Sequence, residues 1–221
     1  MPAGTFLDNA RWVVDNLDQA GIGDAVLIGH SYGGAIALTA AALAPARVRG
    51  LVLVASVGPD CLDGWDAILS SAVGGEICAV SAWLVTPWFA RRRLARISRK
   101  LQRPLRPDEH VSWEAWGSAR HEHGAMWRTF LTEQRELSRG LDELTAGLAK
   151  ITVPTLILAD ESDKMIPVAT PRALHDLIPG ARLELLRRGG HNLPRRAAAE
   201  VAGYLTDFVD ALDESDSAPA G

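Results

Sequence analysis

The stretch that most constrains this chain is Ala25 to Leu38, "AVLIGHSYGGAIAL". Four apolar residues run straight into Gly29-His30-Ser31-Tyr32-Gly33, and an alanine-rich segment follows at once. A short run that is apolar on both faces reads as a strand inside a parallel sheet with helices on either side. Ser31 to Ala44 reads as a helix, rich in the best helix former and stopped by Pro45. Strand passing directly into helix is the signature of an α/β chain, and Gly-x-Ser-x-Gly at the junction places a serine on a tight, strained turn.

The same alternation recurs on both sides of a long gap. Ahead of the strand, Phe6, Ala10, Val13, Val14 and Leu17 follow helical spacing, Thr5 and Asp8 form a capping pair, and Gly21 is the stop. "LVLVAS" (Leu51 to Ser56) is a second strand. Val57 to Ala149 is helical in pattern and carries six of the seven tryptophans: Trp65, Trp83, Trp88, Trp113, Trp116 and Trp127. Strands at Pro154 to Ala159 and Arg182 to Leu186 follow, with helices at Ala169 to Leu177 and Arg196 to Leu212. The expected organisation is a mostly parallel α/β core over 1–56 and 150–212, a helical cap inserted at 57–149, and a disordered tail over 213–221.

Composition narrows the function classes. The chain has 221 residues, 48% of them hydrophobic and 23% charged, which is enough for one medium domain with a sizeable core. A net charge of −4 argues against nucleic acid as a partner. Cys61 and Cys78 are too few and too far apart for a disulfide framework or a metal knuckle, and read as idle thiols in a reducing compartment. "MPAGTFLDNARW" has neither a basic head nor an apolar run, so no secretory signal is visible and the cytoplasm is the expected location. The basic run "RRRLARISRKLQR" (Arg91 to Arg103) holds seven cations, with Leu94, Ile97 and Leu101 spaced as the inner stripe of a helix. A solvated helix face is the favoured reading there, and docking on an anionic membrane surface the lesser one.

A serine hydroxyl is a weak nucleophile until a base takes its proton, and the base needs an acid to hold its tautomer. Ser31 is the candidate nucleophile, and the Tyr32 N–H at the start of the helix is the candidate oxyanion donor. "RRGGHNLPRR" puts His191 on a loop between the last strand and the last helix, where a base is expected. The other histidines are weaker: His30 flanks Ser31 but points away from it, and His110 and His175 fall on helical stretches. His121 and His123 are two apart, so a helix turns them different ways and a metal pair is not expected. In "LILADESDKMIP" Asp163 is the preferred orienting acid, with Asp160 and Asp60 as alternatives.

With "GHSYGG", "PTLILADESDKMIP" and "GGHNLPRR" in place, the chain resembles the α/β-hydrolase family, in the branch with a serine nucleophile and a helical cap. The order Ser31, Asp163, His191 matches the family's order of nucleophile, acid and base. The resemblance implies a cofactor-free hydrolase that attacks an ester, thioester or related carbonyl through an acyl-enzyme, or a related serine-dependent enzyme such as a perhydrolase or C–C bond hydrolase. The tryptophans of the cap suggest a small-molecule substrate with an apolar acyl or ring portion, and packing of these rings between cap and body is an equal reading. Asp160 departs from the family pattern, which usually has glycine there.

The family usually has about eight strands, several of them ahead of the serine turn, whereas only 24 residues precede "AVLI" here. That leaves the first strand as an uncovered sheet edge, a liability for self-association or a seat for a complementing chain. The loop that normally supplies a second oxyanion N–H is not found, a deficit worth roughly 10²–10³-fold in rate. Three explanations stand open: Met1 lies inside a longer reading frame, a second chain supplies the missing strands, or the chain is a non-catalytic remnant or binding subunit of the same fold.

Overall fold

A computed structural model of the protein describes residues 4–104 and 120–217, without side-chain detail at 120–127, at Asp216 and at several positions between 82 and 94. The described residues form two units, Met1–Leu62 with Arg139–Gly221, and Asp63–Ser138.

The first unit is built on four parallel strands in the order β1-β2-β3-β4: β1 Ala25–His30, β2 Val48–Val54, β3 Thr155–Asp160 and β4 Arg182–Leu186. Leu51 to Val54 are all buried, as are Leu156 to Asp160, because helices cover both faces. On one face Val52, Val54, Leu156, Leu158 and Leu186 pack against Val201, Phe208 and Leu212 of the terminal helix. The intervening Leu51, Leu53 and Ile157 point the other way, toward the helices that connect the strands. β1 ends the sheet and, among the described residues, pairs only with β2; its Ile28 is 57% exposed.

Ahead of the second strand this unit has the helices α1 Phe6–Gln19 and α2 Tyr32–Leu43, and its terminal helix is Ala198–Ser217. α1 starts at the expected capping box, with Thr5 and Asp8 bonding each other's backbone N–H at 3.2 and 3.1 Å. Its Phe6 packs 5.2 Å, ring to ring, from Tyr32 at the head of α2. The glycine before the serine turn is needed for space, since a Cβ on Gly29 would lie 2.5 Å from the Gly33 carbonyl oxygen. Gly33 itself has open space around it; the second position that must be glycine is Gly34, where a Cβ would come within 2.6 Å of Ser56 Cβ.

Two expectations change. β2 begins at Val48 rather than Leu51, because the absent side chain at Gly50 is where Phe208 and Leu212 seat. The tail expected to be disordered from Asp213 is helical through Ser217. The reason is local: Leu212 is buried, Asp213 pairs with Arg49 of β2, and the Ser215 and Ser217 hydroxyls donate to carbonyls within the last turns.

The second unit is helical: α3 Gly64–Ser70, α4 Ala72–Leu101 and most of α5 Arg120–Gly147. α4 runs through Pro87, and Arg92 lies 3.9 Å above the Trp88 ring. Leu101, expected on an inner stripe, is 46% exposed. Trp113, Trp116 and His110 lie outside the described residues, as do the side chains of Trp83, Leu94, His121, His123 and Trp127. No helix among the described residues is long and apolar enough to cross a membrane.

Gly34→Ala is expected to destabilise the fold by about 2 kcal/mol, since neither α2 nor the strand end at Ser56 can retreat without disturbing the sheet. Urea unfolding should show a lower midpoint, and adding Ser56→Gly should recover much of it.

Candidate active site

Ser31 sits between β1 and α2 with φ +54° and ψ −123°, a conformation that costs a non-glycine residue on the order of 1–3 kcal/mol. Its own backbone holds it there. Its N–H donates to Val54 O at 3.1 Å, and its carbonyl accepts from Gly34 N at 2.9 Å and Val57 N at 3.2 Å. The side chain makes no capping bond to α2. Tyr32 is the first residue of α2, so its N–H belongs to the helix terminus, where partial positive charge collects.

Across the sheet, β3 ends at Asp160 and turns into Glu161 to Asp163. One oxygen of Asp163 is pinned by the backbone N–H groups of Met165 at 2.7 Å and Ile166 at 3.1 Å. The other accepts from His191 Nδ1 at 3.0 Å, in a pair whose side chains are 3% and 13% exposed. An imidazole whose Nδ1–H is held by a carboxylate presents Nε2 as a proton acceptor. Asp60 is exposed on the turn after β2 at φ +60° and makes no bond to His191.

Asp160 has a different task. It is 2% exposed, with Oδ1 accepting from Ser162 N at 2.7 Å and Ser162 Oγ at 2.5 Å, and Oδ2 accepting from Gly189 N at 2.6 Å. Burial pushes its pKa up, but the Ser162 hydroxyl and the N–H groups of Gly189, Ser162 and Gly190 together outweigh that and bring it down to about 2.

The fourth piece is His30, expected to point away from Ser31. Its Nε2 lies 2.8 Å from the carbonyl oxygen of His191, and the two imidazole rings are 5.1 Å apart. β1 and β4 are three strand spacings apart, about 14 Å, so the loop after β4 travels over the ends of β3 and β2 to arrive here. The structure therefore brings Asp163 and His191 into direct contact and carries both to the residue beside Ser31. No hydrogen bond joins the Ser31 side chain to His191. Among the described residues no three His, Cys, Asp or Glu side chains gather as a metal site, and neither Cys61 nor Cys78 is in a disulfide.

Residues 2–194 match the family described as alpha/beta hydrolase fold. The chain belongs to the α/β-hydrolase family. This α/β hydrolase is 31% identical over 211 residues to the 2-hydroxymuconate semialdehyde hydrolase of Pseudomonas sp. (strain CF600), covering 94% of this chain and 69% of that one. It is likewise 31% identical over 200 residues to the pimeloyl-[acyl-carrier protein] methyl ester esterase of Stenotrophomonas maltophilia (strain K279a), covering 87% and 71%. Among solved structures, a putative lipase from Acinetobacter baumannii AYE superposes with a TM-score of 0.69 at 19% identity, over 96% of this chain and 69% of that one, a likeness of fold.

Because the folded-state pKa of Asp160 lies below the ordinary carboxylate value, the folded state favours its charged form. The stabilisation, on the order of 2 kcal/mol, is present above about pH 4 and lost as pH falls through about 2. Asp160→Asn should lower stability at neutral pH and flatten its decline in acid, read from urea midpoints measured between pH 2 and 7.

Proposed function

We propose that this α/β hydrolase is a serine hydrolase that cleaves an ester, thioester or related carbonyl substrate through an acyl-enzyme. In this reading Ser31 Oγ attacks the carbonyl carbon while His191 Nε2 takes the serine proton, and the Asp163 carboxylate holds the imidazole and balances the charge it acquires. The Tyr32 N–H donates to the oxyanion as the tetrahedral intermediate forms. His191 then returns the proton to the leaving group. In the second half a water attacks the acyl-enzyme, giving its proton to His191 and releasing the acid with Ser31 restored.

The observation that carries this reading is the part-buried 3.0 Å bond between His191 Nδ1 and Asp163, on a loop that reaches the neighbour of Ser31. The strained backbone of Ser31 adds support, since strain of this kind collects where a side chain must be presented rather than packed. A small carbonyl substrate with an apolar acyl or ring portion fits the relatives' names, a semialdehyde hydrolase and a methyl ester esterase. The segment 57–149, whose described helices α3, α4 and α5 lie in the chain between β2 and β3, is read as a substrate-binding cap.

The test is turnover of a panel of p-nitrophenyl and methyl esters by the full chain. Ser31→Ala and His191→Ala should each lower kcat by a factor of at least about 10³, and Asp163→Asn by about 10²–10⁴ with little change in KM. Turnover that survives Ser31→Ala would end the proposal, and no turnover at all would favour a non-catalytic role for the fold.

A further inference from the structure

The turn Gly189-Gly190-His191 is held at both ends by side chains that take no part in the chemistry above. At its start, the Gly189 N–H donates to Asp160 Oδ2 at 2.6 Å. At its end, the His191 carbonyl oxygen lies 2.8 Å from His30 Nε2. A carbonyl oxygen only accepts, so His30 must carry its proton on Nε2 here. Between these two ties Gly190 adopts φ +53°, and His191 turns its ring onto Asp163.

The two anchors stand on rigid ground. Asp160 is the last residue of β3 and His30 the last residue of β1, adjacent to Ser31. The tie through His30 links residues 161 positions apart in the chain and joins the strand that bears the serine to the loop that bears the histidine. The second contact between them, imidazole rings tilted 44° at 5.1 Å, keeps the His30 ring beside His191.

We propose that His30 and Asp160 are positioning residues, a two-point clamp that holds the Gly189–His191 turn and so sets the distance from the His191 imidazole to Ser31. The proposal rests on His191 being the base that serves Ser31. A glycine pair leaves the loop many conformations, and Asp163 alone constrains only the ring, not the backbone that carries it. The clamp acts on that backbone. Misplacing a base by about 1 Å is enough to cost on the order of 10²-fold in rate.

The experiment compares wild type, His30→Phe, His30→Gln and Asp160→Asn as full chains. Two quantities are read: the rate at which a fluorophosphonate labels Ser31, and hydrogen exchange in the peptide spanning residues 187–193. His30 is exposed, so His30→Phe keeps the fold while removing the donor. It should slow labelling about 10- to 100-fold and speed loop exchange. His30→Gln places an N–H where His30 Nε2 stood and should label within about threefold of wild type, a rescue that mere packing would not produce. Asp160→Asn, which sets an amide N–H against the Gly189 N–H in one of its two orientations and against Ser162 in the other, should speed exchange at the start of the turn. Wild-type labelling rates in His30→Phe, equal slowing in His30→Phe and His30→Gln, or loop exchange unchanged in all variants would each overturn the clamp. Wild type that labels nowhere defeats the serine-hydrolase reading instead, and the exchange rates still decide whether the clamp exists.

Discussion

Everything in the first unit is arranged around one serine backbone held where serine does not willingly go. Three main-chain hydrogen bonds at Ser31 splice together the end of β1, the first turn of α2 and the exit from β2. They compensate the strain of φ +54° and at the same time fix the crossing of α2 over the sheet. The crossing must be close, which is why Gly34 lies against Ser56 with no room for a methyl group. A turn of this kind cannot relax alone, because any retreat of Ser31 breaks a bond to a neighbouring element. The serine is thus presented by the packing of the whole core, not by its own loop.

Much of this was legible in the sequence because the elements are short and their signals local. Strands apolar on both faces, a capping box at Thr5 and Asp8, and a proline after an alanine-rich helix each carry their own instruction within a few residues. The errors arose where tertiary packing overrode local chemistry. The apolar run marks a strand only from Leu51, yet β2 extends back through Gly50 because Phe208 and Leu212, more than 150 residues later, occupy the space its side chain would fill. Asp213 to Ser217 reads as a polar tail, yet it stays helical because Arg49 of the same strand reaches Asp213. Both cases concern one contact, the terminal helix on β2, that no window of sequence contains.

The candidate site divides the same way. Ser31, Asp163 and His191 each follow a strand end at a position the α/β alternation makes special, so order and spacing point to them. His30 and Asp160 take their roles from partners 161 and 29 residues away. For His30, a place beside Ser31 is expected to point its side chain away from the nucleophile, and says nothing of a loop arriving from β4 to meet it. For Asp160 a signal was present, a carboxylate where the family pattern has glycine. Its meaning depends on the Gly189 N–H, which only the folded chain brings near.

A carboxylate at that position is a costly choice unless it is fully occupied. Buried at 2% exposure, an unpaired Asp160 would shift toward its neutral form, whereas the hydroxyl of Ser162 and the N–H groups of Gly189, Ser162 and Gly190 hold it charged at neutral pH. Three of those four donors are main-chain groups, so the charge organises backbone rather than side chains. A glycine there could free the loop but could not hold it. The division of labour follows: the ends of β1 and β3 supply fixed anchors, the Gly189–His191 turn supplies reach across two strands, and the anchors remove the freedom that reach brings with it. Flexible loops and precise geometry are compatible in this fold because the sheet edge-on behaves as a ruler, and the loop is tied to it at both ends.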